Sequence, residues 1–268
     1  MLNGCLIFWM VIKMKILEKI LDVVFPPYCL LCTSRIDVKN SLCADCRRRF
    51  ALETFEKCER CGKICAKCQC GDTYTKTTKT TVGASSHYTS VFYKKAAILG
   101  DNSTRVSERM IFSLKGKGEF VDFFAETTAA GLKKMFSDGG EDITEWIVTY
   151  PPRSRERMRE FGFDHAEKLA RGVAKRLGIP CVSLFKRTRG GEVQKTLSAE
   201  ERTLNASQSL EIIESRVVRG GKYILIDDII TTGATMDAAA RKLYFYSAEK
   251  VFPVAIAKSM HVKSLRRE

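Results

Sequence analysis

At 268 residues, 45% of them apolar, the chain is long enough for one large domain or two smaller ones and too apolar to be a disordered polypeptide. Lys and Arg outnumber Asp and Glu by 45 to 31, a formal charge of +14, which suits polyanionic partners (nucleic acid, an anionic membrane face, phosphorylated small molecules) or is simply a basic surface. The most apolar segment, "CLIFWMVI" (Cys5 to Ile12), is too short to span a bilayer and lacks the preceding basic residues of a secretory signal, so neither a membrane span nor export is expected.

Residues 1–14 carry no fold signal, and Met14 opens a more natural start, so they are expected to be an upstream extension. A cysteine-rich module is expected over 15–72. Ten of the eleven cysteines lie before residue 71, and eight form C-x-x-C pairs: Cys29/Cys32, Cys43/Cys46, Cys58/Cys61 and Cys65/Cys68. A two-residue gap lets both thiolates of a turn face one ion, and two such turns complete a tetrahedral zinc site. Disulfides would need an exported protein. Cys29, Cys32, Cys43 and Cys46 therefore read as one structural zinc site. "CERCGKICAKCQC" supplies a second, for which Cys65/Cys68 or Cys68/Cys70 completes the set begun by Cys58 and Cys61, or the two ions share ligands in a crossed arrangement. Cys5 and Cys181 read as ordinary apolar residues.

The run over 73–90 is rich in Thr, Ser and Lys and reads as a linker or mobile loop. From 91 to 268 helical and strand-like patterns alternate. "FVDFFAETTAAGLKKMF" has apolar residues at helical spacing, "WIVTY" is a short strand, and "HAEKLARGVAKRLG" is an amphipathic helix ending at Gly178. "YILIDD" is a second strand, "TMDAAARKLYFYSA" a helix and "KVFPVAIAK" a third strand. This alternation predicts an α/β domain whose parallel sheet has right-handed crossovers, with ligands bound beyond the carboxyl ends of the strands.

The strand "YILI" would deliver Asp227 and Asp228 to such an end, followed by Thr231, Thr232, Gly233, Ala234 and Thr235 at the turn into the next helix. Backbone amides and the positive end of a helix dipole there suit a phosphate, and Gly233 permits close approach. The two acids cannot hold phosphate, but they accept hydrogen bonds from a vicinal diol, so the ligand read from these residues is a ribose bearing a 5-phosphate. The stretch lacks the Gly-Lys-Ser/Thr of a P-loop and the G-x-G-x-x-G of a dinucleotide site.

"ILIDDIITTGAT" resembles the phosphoribosyl pyrophosphate (PRPP) loop of type I phosphoribosyltransferases. That resemblance implies that Asp227 and Asp228 hold the ribose hydroxyls, that the loop holds the 5-phosphate, and that Mg²⁺ accompanies the pyrophosphate. "FPPYCLLC" (Phe25 to Cys32), "RMREFGFDHAEKLA" (Arg157 to Ala170), "QKTLSAEERTLN" (Gln194 to Asn205) and, more loosely, "FSLKGKGEF" (Phe112 to Phe120) occur in the same order as in the ComF family, and the likeness runs from about residue 15 to the end. It implies an N-terminal zinc ribbon with a phosphoribosyltransferase-type domain. It further implies a cytoplasmic protein of DNA uptake in natural transformation, with single-stranded DNA or a competence helicase as partner. An active phosphoribosyltransferase of nucleotide metabolism or salvage is the alternative, and a zinc-stabilised adaptor with a vestigial site is a third.

The chain departs from the family at Phe161 to His165, where Arg-Gly-Phe-Asn-Gln is usual. Arg153, Arg155, Arg157 and Arg159 still form a positive cluster after "WIVTY", fit either for pyrophosphate or as a solvated basic face. His165 reads as a surface or capping residue. Lys195 and Arg202, in a segment that the Gly190-Gly191 pair makes plausibly mobile, are candidates for pyrophosphate or nucleic acid. Phe50, Phe55, Phe92, Tyr93, Phe161 and Phe163 lie near basic residues, where single-strand binding would want stacking platforms.

Overall fold

The computed structural model describes residues 26–37, 42–54, 88–93, 106–118, 120–153, 158–160, 162–188, 209–230 and 233–259. The expectations placed on Cys58, Cys61, Cys65, Cys68, Cys70, Arg155, Arg157, Lys195, Arg202, Thr231 and Thr232 lie outside them.

Among the described residues four parallel strands form the central sheet in the order β1-β6-β5-β2, with β1 at Tyr88–Tyr93, β2 at Trp146–Thr149, β5 at Lys222–Ile230 and β6 at Lys250–Ser259. A short antiparallel pair, β3 (Phe185–Arg187) and β4 (Leu210–Ile212), stands apart from it. The helices are α1 (Ala44–Thr54), α2 (Val106–Lys117), α3 (Val121–Asp138), α4 (His165–Leu177) and α5 (Ala234–Phe245).

A strand covered on both faces must be apolar on both, and β5 is. Ile224 and Ile226 join the apolar cluster beneath α3 and α4, while Tyr223 and Leu225 join the one beneath α5. Past the two acids the order is reversed, Ile229 joining the first cluster and Ile230 the second, so the simple alternation ends at Asp227 and Asp228. β2 ends its pairing with β5 at Thr149 opposite Leu225, so the last residues of β5, the two acids included, run past β2.

α4 follows its sequence signals closely. Asp164 caps its start, its carboxylate accepting the Glu167 amide N–H at 3.2 Å, and Gly178 ends it in the left-handed conformation.

Two expectations change. Strand β1 begins at Tyr88, inside the stretch read as a linker over 73–90, because its residues are taken up as an edge strand by β6. The cysteine module is also not set apart from the sheet: Cys29, Leu31, Leu42, Cys46 and Phe50 belong to the same apolar cluster as α2, α3 and α4. Phe50 meets the rings of Phe123 and Phe124 edge-on at centroid distances of 5.3 and 6.3 Å. The Glu53 carboxylate accepts the amide N–H groups of Val106 (2.7 Å) and Ser107 (2.8 Å), and Arg109 donates to the Leu31 carbonyl at 2.6 Å. Glu53 thus satisfies two of the orphan donors at the start of α2 from a distant part of the chain.

Among the described residues no helix is long and apolar enough to cross a membrane.

Candidate functional site

The first cluster is the tetrathiolate. Cys29 and Cys32 lie on the turn after Tyr28, which bridges back to Arg35, while Cys43 precedes α1 and Cys46 lies within it. Their four sulfurs all lie within 4.8 Å of one another, and those of Cys32 and Cys43 are 3.6 Å apart. Four ligands at zinc–sulfur distances of about 2.3 Å would be separated by about 3.8 Å.

The surroundings suit thiolates. The Ser34 hydroxyl lies 3.0 Å from the Cys32 sulfur and, with the Ser34 backbone, brings that thiol down to about 6. The Cys46 amide N–H donates to the Cys43 sulfur at 3.4 Å and lowers that thiol too. Burial pushes Cys46 up to about 12 against the hydrogen bond from Arg49 at 3.6 Å. A buried thiol beside two readily ionised ones is the situation that a divalent ion resolves by binding all four as thiolates. The set fits a structural zinc ion.

The second cluster lies at the carboxyl end of β5. Asp227 accepts the Asp228 amide N–H at 2.8 Å, and Asp228 accepts that of Ile229 at 2.7 Å, so both carboxylates fold back onto their own strand. The other Asp228 oxygen is 2.8 Å from the Arg153 guanidinium, in a pair whose side chains are only 11% and 12% exposed. Arg153 follows β2 through Tyr150, Pro151 and Pro152, and its amide N–H donates to Asp164 at 2.7 Å. Arg187 of β3 holds the same loop, donating to the Pro152 carbonyl at 2.8 Å.

Three acids (Asp164, Asp227, Asp228) thus converge near one arginine. Burial, reinforced by the neighbouring Asp228 carboxylate, pushes the Asp227 carboxyl well above its ordinary value, and burial raises that of Asp164. Beyond β5, Gly233 takes a left-handed φ of 81° as the residue before α5, and Ala234 and Thr235 open the helix. A side chain at Gly233 would strain that turn.

The structure therefore brings together Asp227, Asp228 and Arg153, and sets Gly233, Ala234 and Thr235 at the start of the helix that follows β5. Arg159 lies exposed on a separate short segment. His165 is neither a surface residue nor the cap: it is fully buried, its ring 4.2 Å from that of Phe163, and Asp164 caps the helix instead. Phe50 is buried, and Phe163 is packed between His165 and Lys168, whose ammonium lies 3.9 Å from the ring centroid, so neither is an open stacking platform. Asp164 and Arg187 are structural members of the site that sequence reasoning missed. An acid directly before a helical run could have flagged Asp164 as a cap, whereas nothing local marks Arg187.

The sequence of the Double zinc ribbon domain family matches residues 20–74. The chain is 33% identical over 95 residues to the adenine phosphoribosyltransferase of Stochomys longicaudatus, a match covering 35% of this chain and 52% of that protein. The architecture is a zinc ribbon followed by an α/β domain of phosphoribosyltransferase type. Over 233 residues the chain is 26% identical to competence protein ComFC of Bacillus subtilis strain 168, covering 80% of this chain and 88% of that one. It is also 23% identical over 233 residues to competence protein F of Haemophilus influenzae, covering 83% and 93% respectively. With the zinc ribbon, these matches support a protein of the ComF family.

Proposed function

We propose that the carboxyl end of β5 binds the ribose phosphate of PRPP, and that the protein serves a ComF-type role in DNA uptake through single-stranded DNA or a helicase partner. The observation that carries the ligand is the pair Asp227 and Asp228 at the end of a buried parallel strand, followed by a left-handed glycine and a helix N-terminus. Carboxylates take the ribose hydroxyls, and the amides at the start of α5, with Thr231, Thr232 and Thr235, take the 5-phosphate. Arg153, which pairs with Asp228, is the candidate for pyrophosphate or DNA, with Arg157, Arg159, Lys195 and Arg202 as further candidates. Mg²⁺ would enter with the pyrophosphate and neutralise part of its charge.

The DNA-uptake role is supported by the names of the two competence relatives and by the net charge of +14. A second zinc held by Cys58, Cys61 and either Cys65/Cys68 or Cys68/Cys70 is supported by the family match, which extends to residue 74. Transfer to an acceptor is the second reading, favoured by the phosphoribosyltransferase relative. Calorimetric titration with PRPP and Mg²⁺ tests the ligand: saturable heat lost in Asp227→Ala/Asp228→Ala supports it, and no heat at millimolar ligand rejects it. Anisotropy of labelled single-stranded DNA across a salt series tests the role, affinity falling linearly with log salt if DNA binds. Pyrophosphate release with a base or amine would establish transfer.

A further inference from the structure

We propose that the ribbon and the face of α2 docked on it form the surface that takes a single nucleic-acid strand, with Tyr28 and Phe112 as stacking platforms for unpaired bases and the arginines around them as phosphate contacts. This rests on the reading of single-stranded DNA as a partner and gives that partner a place on the molecule.

Phe50 and Phe163 are packed away, whereas Phe112 is 78% exposed and Tyr28 is 52% exposed. One exposed aromatic ring is ordinary on a protein surface. What distinguishes these two is that each stands beside an arginine, on elements that touch. Tyr28 and Arg35 face each other across an antiparallel bridge, which sets their side chains on one side of the hairpin. Arg109 and Phe112 are three residues apart on α2, which puts them on one helix face. Arg109 joins the two pairs, its guanidinium donating at 2.6 Å to the carbonyl of Leu31, in the turn that carries Cys29 and Cys32.

The charge around the rings is mainly positive. Arg35, Arg47, Arg48, Arg49 and Arg109 are exposed, and the exposed acids among the described residues of the ribbon and α2 are Asp37 and Asp45. Asp45 meets Arg48 only at 4.0 Å, in a pair whose side chains are more than three-quarters exposed, so a phosphate displaces it at little cost. Glu53 is committed to the amides that start α2. Arginines alone would take any polyanion, a duplex or an acidic protein included. Two exposed rings among them favour a strand whose bases are unpaired, because every base offers a face to stack. Cys29, Cys46 and Phe50 anchor the ribbon in the apolar core, so the platforms stand on an ordered base and less is lost in fixing them on binding.

The test is fluorescence anisotropy of a labelled single-stranded oligothymidylate, and of a duplex of equal length, with the full zinc-loaded chain as wild type, Tyr28→Ala, Phe112→Ala, Phe112→Trp, Arg48→Gln and Phe245→Ala. Zinc content and melting temperature report whether each variant folds, and because Tyr28 and Phe112 lie on separate elements, the loss of one variant leaves the other. Tyr28→Ala and Phe112→Ala should each weaken the single strand about fivefold to a hundredfold, the range of one lost base stack, with the salt slope unchanged and the duplex barely affected. Phe112→Trp keeps a platform and should bind as wild type does. Arg48→Gln should lower the salt slope by about one. Phe245, 82% exposed on α5, is the control, and Phe245→Ala should bind as wild type does. Alanine variants of Tyr28 and Phe112 that bind the single strand as wild type does, or that weaken single strand and duplex alike, overturn this surface and leave the DNA partner standing. Wild type that binds no single strand at low salt removes the partner and the surface together.

Discussion

Two places in this molecule crowd groups of like charge, and they resolve the crowding differently. In the ribbon four sulfurs lie within 4.8 Å of one another, a set that an external ion holds as thiolates. At the end of β5 Asp228 pairs with the Arg153 side chain, Asp164 accepts the Arg153 amide N–H, and Asp227 lies beside Asp228. A cluster held by a metal contributes binding free energy to folding. In the second place burial and the neighbouring Asp228 carboxylate push the Asp227 carboxyl up, so the fold there holds unfavourable electrostatics. The first adds to stability and the second subtracts from it.

The largest expected effect comes from breaking the ribbon. Chelating zinc, or Cys46→Ser, removes an interaction on the order of 10 kcal/mol, and zinc content and the thermal transition should fall together. Because Phe50 lies in the apolar cluster shared with α3, the effect should reach the sheet domain; Phe50→Ala alone should cost about 3 to 5 kcal/mol in denaturant melts. A ribbon that melts separately from the sheet domain would refute this linkage.

Breaking the acid cluster should move stability and binding in opposite directions. The Asp227 carboxyl titrates above its ordinary 3.8, so the folded state holds its proton more tightly than the unfolded one. Stability from this group is complete below 3.8 and is lost as pH rises through the raised value. Asp227→Asn escapes that loss. Its melting temperature should exceed wild type at neutral pH and converge with it in acid, while its PRPP affinity drops about tenfold to a hundredfold.

Smaller effects sharpen the contrast. Glu53→Gln weakens the double cap on α2 and should cost about 1 kcal/mol. Lys134→Ala removes an exposed pair with Asp138 at 3.7 Å and should change stability by less than about 0.5 kcal/mol. These two measurements separate contacts that join regions from contacts that decorate a surface.

The contrast also explains what was legible in the sequence. Cysteine pairs encode their ligand geometry within four residues, and β5, its turn and α5 lie in one continuous stretch, so both could be read locally. The Arg153–Asp228 pair spans 75 residues and exists only because β2 and β5 are neighbours in the sheet. Strand β1 was missed because a Thr- and Ser-rich segment becomes a strand when β6 offers it an edge, a tertiary choice that overrides composition. His165 was misplaced for a similar reason: the sequence shows an imidazole at a helix start, but not that Phe163 folds over it.

The glycine just after α2 bears on the acid cluster from a distance. Gly118 has a φ of +70°, and a Cβ there would lie 2.5 Å from the tip of the Phe163 ring. Phe163 directly precedes Asp164, whose carboxylate fixes the Arg153 main chain. A Gly118→Ala change, one methyl group on a loop remote from the acids in sequence, therefore presses on a lever whose other end aims the arginine. A single methyl group at Gly118 would thus be felt at Arg153 without changing any residue of the acid cluster.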